Sequence, residues 1–177
     1  MPRIAEIFAA ALAACAGGCV TSVEPLLSGD EPIVSASIPG QYVYRGLGPD
    51  HKLEHLRVRL DHDGKQYRLV QAGEDVILVS LHKFDDQFML AQMKEGKSNY
   101  AYWLVYKGNG GYFLINIIPC DPDILREAGV SETRADSPPV VVCTLQSREE
   151  LMALARLAAK RYLAHGEAVA AAIRTKD

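Results

Sequence analysis

The sequence predicts a mainly β domain with a helix near its C-terminus (α+β): an antiparallel meander, either an open sheet or a small up-and-down barrel. Two observations predict it. From Gln41 onward short apolar runs alternate with turn signals about every ten residues, the spacing of antiparallel sheets and barrels. Past Ser147 the apolar period lengthens to that of a helix laid on a core. The chain has 177 residues, 49% of them apolar and 23% charged. That suits one globular domain and excludes whole-chain disorder, collagen and disulfide-dense scaffolds.

The strands follow from alternation. Leu56, Val58 and Leu60 interleave with Arg57, Arg59 and Asp61, so one face turns inward and the other meets water. Asp63-Gly64 makes a tight turn, and Tyr67 and Leu69 continue the return strand. Residues 76–81 are a near-continuous apolar run, which fits a central strand. Residues 87–93 form the next. Residues 100–106 and 111–118 flank Lys107-Gly108-Asn109-Gly110, a further hairpin. Tyr100, Tyr102, Leu104 and Tyr106 share one face of its first strand, and Ala101, Trp103 and Val105 share the other. Large side chains on both faces predict burial on both sides.

Then the pattern turns helical. Asp121-Pro122-Asp123 supplies an N-cap, a Pro in the first turn and an acid near the positive end, and Gly129 stops that short helix. Residues 140–145 read as a last strand. Ser147-Arg148-Glu149-Glu150 is a capping box, followed by Leu151, Leu154, Ala155, Ala158 and Tyr162 at helical spacing. Gly166 ends this helix. Residues 168–174 are Ala-rich and read as helical. The expected order is about seven or eight strands and then a helix. That order resembles the lipocalin-like barrels, with Pro39-Gly40-Gln41-Tyr42 where that family carries Gly-x-Trp. The likeness is architectural and implies no function.

The N-terminus reads as an address. Met1-Pro2-Arg3 precedes an apolar, Ala-rich run interrupted only by Glu6. The run is shorter than the roughly 20 residues that span a bilayer and matches a secretory h-region. Leu12-Ala13-Ala14-Cys15 resembles the lipobox of bacterial lipoproteins. The resemblance implies lipidation of Cys15, cleavage before it, and a periplasm-facing chain held in the envelope. Ala16, where an Asp would favour the inner membrane, points to the outer one. Ala16-Gly17-Gly18-Cys19 is a second, poorer match. The expected organisation is a signal peptide over 1–14, a tether over 15–39, one β-rich domain with its helix over 40–165, and an Ala-rich tail over 166–177. Within the tether only residues 33–38 could form a strand.

Cys120 and Cys143 each border an apolar run. In an oxidising compartment such a pair reads as a disulfide.

No residue set carries a strong chemical signature. His51 and His55, with His62, Asp61 and Asp63, could hold a metal only on a helix. On a strand the first two stand about 13 Å apart, so no metal is expected. Asp61-His62-Asp63-Gly64 lacks the later acids of a calcium loop and reads as a hairpin turn. Ser80 and His82 would share one strand face and could form a dyad. The net charge of −3 supplies no field for nucleic acid. Tyr100, Tyr102, Trp103, Tyr106 and Tyr112 form the candidate binding surface, since aromatic side chains combine apolar area with polar tips. The expectation is therefore a lipid-anchored protein that is not an enzyme and uses no cofactor. It binds either a small apolar ligand inside a closed barrel or an envelope protein through an aromatic face, as an inhibitor or assembly factor. A hydrolase built on Ser80 and His82 is the third reading.

Overall fold

The computed structural model describes residues 19–46, 53–61, 63–71, 76–95, 99–108, 112–130, 142–166 and 170–175. The signal and lipobox, with Cys15, lie outside them, as do His51 and His62. The elements are β1 (Cys19–Ser22), β2 (Gly40–Gly46), β3 (Leu53–Leu60), β4 (Tyr67–Gln71), β5 (Ile77–Lys83), β6 (Phe88–Glu95), β7 (Asn99–Lys107), β8 (Tyr112–Ile117), α1 (Pro122–Ala128), β9 (Val142–Thr144), α2 (Arg148–His165) and β10 (Ala170–Arg174).

Eight strands close on themselves in the order β2-β3-β4-β5-β6-β7-β8-β10, with β6 paired to β7 and β10 paired to β2. Every pairing in this ring is antiparallel. The open-sheet alternative is thereby excluded. Closure leaves no edge within the ring, and β1 and β9 extend the sheet outside it from β7.

Three expectations are corrected. Residues 170–174 are not helical: β10 returns after α2 and fills the gap between β8 and β2, with Ala172 buried opposite Phe113. Alanine favours helices in isolation, but here a five-residue strand completes two hydrogen-bonded ladders. Second, the tether is part of the fold from Cys19 onward. β1 pairs with both β7 and β9, and Val20, Leu27 and Ile38 are buried. Third, residues 33–38 form no strand. An isolated bridge joins Pro32 to His82, and the Ile33 N–H donates to the Leu81 carbonyl at 2.6 Å.

Strand alternation sorts the apolar residues into two cores. The inner one fills the barrel with Tyr42, Val58, Tyr67, Val79, Leu81, Met89, Val105 and Phe113. The outer one lies between β6, β7 and the helices, where Phe88, Leu90, Tyr102 and Leu104 meet Leu151, Leu154 and Ala155 of α2. β7 is therefore buried on both faces, as its composition predicts. The helix caps are as expected: Asp121 Oδ1 accepts from the Ile124 N–H at 3.0 Å, and Ser147 Oγ from the Glu150 N–H at 3.2 Å. The Cys120–Cys143 disulfide, with Cα atoms 5.9 Å apart, ties β9 to the segment after β8.

Candidate functional site in the barrel mouth

One end of the barrel is stoppered. Residues 33–38 cross it, held by two inward tyrosines. Tyr67 Oη accepts from the Ser35 N–H at 2.9 Å and donates to the Ile33 carbonyl at 3.1 Å. Tyr42 Oη donates to the Ile38 carbonyl. Arg174, at the end of β10, donates to the Ser37 and Pro39 carbonyls at 3.0 and 2.9 Å. Burial raises the Tyr42 pKa, with Arg174 partly offsetting it. The phenol thus stays protonated and able to donate.

The other end is the mouth, where the β2–β3, β4–β5 and β6–β7 loops and the segment before β10 fall outside the described residues. Its wall is uneven. β7 runs nine residues, whereas β8 runs six and β10 five. β8 ends at Ile117, opposite Trp103 in the middle of β7, and beyond it β1 takes its place beside β7, with Thr21 opposite Ala101. Trp103, Ile115, Ile117, Leu69 and Ile77 are only half-buried, whereas Tyr42 and Tyr67 near the stopper are 1% exposed. Met93, Ala101 and Ala91 are buried in the same inner core, Ala101 two residues nearer the mouth end of β7 than Trp103. The described part of the mouth is thus an apolar cup with Trp103 on its wall and small side chains beside it. The hydroxyls of Tyr42 and Tyr67 are spent on the stopper, and the described lining beside Trp103 is apolar. Eight-stranded barrels are just wide enough to be filled by side chains or to hold one small ligand.

A second cluster lies outside the barrel. After β1 the chain crosses the outer faces of β7, β6 and β5 as a strap, residues 23–33. Beneath it Tyr102, Gln92 and Ser80 stand side by side on three adjacent strands. Tyr102 Oη lies 2.7 Å from Ser22 Oγ and accepts from the Leu26 N–H at 2.9 Å. Gln92 Oε1 accepts from the Leu27 N–H at 3.0 Å. Asp30, on the strap, pairs with Arg148 of α2 at 3.0 Å. Burial raises the Tyr102 pKa, partly offset by these hydrogen bonds.

Ser80 and His82 do meet: His82 Nε2 is 2.9 Å from Ser80 Oγ. The Ser80 hydroxyl, however, donates to the Gln92 carbonyl at 3.4 Å. In the shorter Ser80–His82 contact the donor is set by the His82 tautomer. Both residues are under 10% exposed and the strap covers them. Burial lowers the His82 pKa, and Asp30 partly offsets this. His82 Nδ1 is buried with no partner.

The aromatic set does not form one surface. Trp103 faces into the barrel. Tyr102 is sealed under the strap, and Tyr100 and Tyr106 pack against the outer core. Tyr106 sits 5.5 Å from Phe88 and 5.7 Å from Tyr162 of α2, ring centre to ring centre. The Tyr112 ring covers Gly108 so closely that a Cβ there would strike it. Only Trp103 belongs to the mouth. Its inward neighbours Ile115, Ile117, Leu69 and Ile77 escape a reading based on aromatic content. Their signal was strand parity, which is shared with Trp103 only once the pairing is known. His55 points outward and is exposed. Among the described residues no group of three His, Cys, Asp or Glu is placed to hold a metal ion, and no helix is long and apolar enough to cross a membrane.

Comparison with protein-family models, with curated proteins and with solved structures gives no match for the chain.

Proposed function

We propose that the protein is an envelope-anchored, periplasm-facing lipoprotein whose barrel binds a small apolar ligand through its mouth, without catalysis. One observation carries the ligand reading: inward-facing Trp103, Ile115 and Ile117 are half-buried where β8 gives way to β1 beside β7, while Tyr42 and Tyr67 near the stopper are 1% exposed. The anchor reading rests on the lipobox around Cys15, and a disulfide accords with an oxidising compartment. The ligand class is a hydrocarbon chain or ring system. Equilibrium dialysis of the full chain against a labelled long-chain fatty acid tests this. Saturable one-to-one uptake that falls at least tenfold in Trp103→Ala supports it, and no uptake by the unmodified chain refutes it. Intact mass of the chain expressed in a bacterial host tests the anchor. Loss of residues 1–14 with added acyl mass is the expected result, and an unprocessed chain refutes it.

The hydrogen bond between Ser80 and His82 favours a second reading, a hydrolase. Labelling of Ser80 by a fluorophosphonate would establish it. The burial of Ser80 and His82 beneath the strap argues for no labelling.

A further inference from the structure

The outer face of β3 and β4 lies far from α2, which packs on β7 and β8. Among the described residues no element covers it. His55, Arg57 and Arg59 alternate outward along β3, about 6.6 Å apart in succession, and Arg68 stands directly opposite Arg59 on β4. All four are exposed. Like charges directly opposite on a sheet are destabilising, yet only Arg68 has an acidic partner among the described residues, Asp61 at 3.3 Å. This contrasts with the overall charge of −3.

Exposed apolar side chains stand at the two edges of this face, Leu78 beside Arg68 and Ile173 in the row of His55. Leu78 on β5 lies opposite Arg68 and is 37% exposed. On β10, Ile173 lies opposite Val43 of β2 and is 59% exposed. Arginines set among exposed aliphatic side chains are the chemistry of a membrane interface. The guanidinium binds phosphate with two parallel hydrogen bonds, and the aliphatic neighbours enter the headgroup and acyl boundary. A nucleic acid would call for a broader basic field and stacking aromatics, and this face has neither.

We propose that the outer face of β3 and β4, centred on Arg57 and Arg59, docks on an anionic phospholipid surface. The inference does not rest on the ligand, and only the orientation of this face rests on the anchor. β1, where the described chain begins, lies on β7, across the ring from β3. A barrel held by its N-terminus would therefore turn the arginine face away from its own attachment, toward a second surface.

The test is sedimentation of the full chain, with Cys15→Ser and Cys19→Ser so that no lipid is attached, against vesicles of phosphatidylglycerol in phosphatidylcholine. Binding is expected to anionic vesicles and to be at least tenfold weaker to pure phosphatidylcholine. It should also fall steeply between about 0.1 M and about 1 M salt, as the Debye length shrinks from about 10 to about 3 Å. Each arginine near an anionic surface contributes about fivefold. Arg57→Gln with Arg59→Gln should therefore weaken binding roughly 25-fold, whereas Arg57→Lys with Arg59→Lys should largely retain it. Both pairs are exposed, and unchanged circular dichroism checks the fold. Equal binding to neutral vesicles, no binding to anionic ones, or a double Gln variant that binds like the parent would each overturn the proposal. Retention on a polyanion such as heparin with no vesicle binding would also overturn it, in favour of a soluble anionic partner.

Discussion

Ile117 stands directly opposite Trp103 across the β7–β8 pair, and both turn into the barrel only half-buried. One residue earlier in β7, Tyr102 faces the other way and is 1% exposed beneath the strap. Two consecutive aromatic residues thus have different duties. Tyr102 fastens the strap, and Trp103 lines the mouth.

A charge at the rim should separate binding from folding. Ile117→Asp places a carboxylate on a half-buried position, where water can still solvate it. Stability should fall by no more than about 1–2 kcal/mol, while uptake of an apolar ligand should fall more than tenfold. Urea denaturation and equilibrium dialysis on the same samples check both.

Tyr102→Phe should loosen the strap. It removes the hydroxyl shared with Ser22 and leaves the Leu26 N–H without its acceptor. The expected cost is about 2 kcal/mol. Hydrogen exchange should show the loss at residues 22–33, with the barrel strands β2 to β4 less affected.

Barrel closure depends on β10. Ala172 is buried between β2 and β8, so Ala172→Glu would bury an unpaired charge. A loss of more than about 3 kcal/mol is expected. An exposed substitution on the same strand, Ile173→Glu, should cost under about 1 kcal/mol. Thermal unfolding of the two variants distinguishes a closing strand from a loose tail.

Reducing the Cys120–Cys143 bond, with its sequence separation of 23, should cost about 3 kcal/mol on the chain-entropy account. The denaturant midpoint with and without reductant measures it.

Acid should weaken the protein through His82. Its folded pKa is lowered by burial, so below the unfolded value of about 6.5 the unfolded chain binds the extra proton first. The stability it contributes is intact above that pH and is lost as the pH falls toward the depressed folded value. Urea midpoints across this range should show the slope, and His82→Gln should flatten it.

Much of the fold was legible because its signals are local. Asp63-Gly64 turns the chain with Gly64 at φ 68°, and Asp121, Ser147, Gly129 and Gly166 cap their helices. The missing parts depend on long-range pairing. Ala170–Arg174 carries helix formers and becomes a strand only because β2 and β8 leave a gap. Residues 19–39 look like a linker because most of their partners, Tyr102, Gln92 and Tyr67, lie on strands remote in sequence. The mouth is the same case. Trp103 stood out by type, but Ile115, Ile117, Leu69 and Ile77 join it only through register.

Trp103 is the chain's one tryptophan, so its emission reports on the mouth directly. Titrating the full chain with a long-chain fatty acid should shift Trp103 emission to shorter wavelength and saturate at one equivalent. Unchanged emission throughout, or a drift that never saturates, would contradict a ligand-binding mouth.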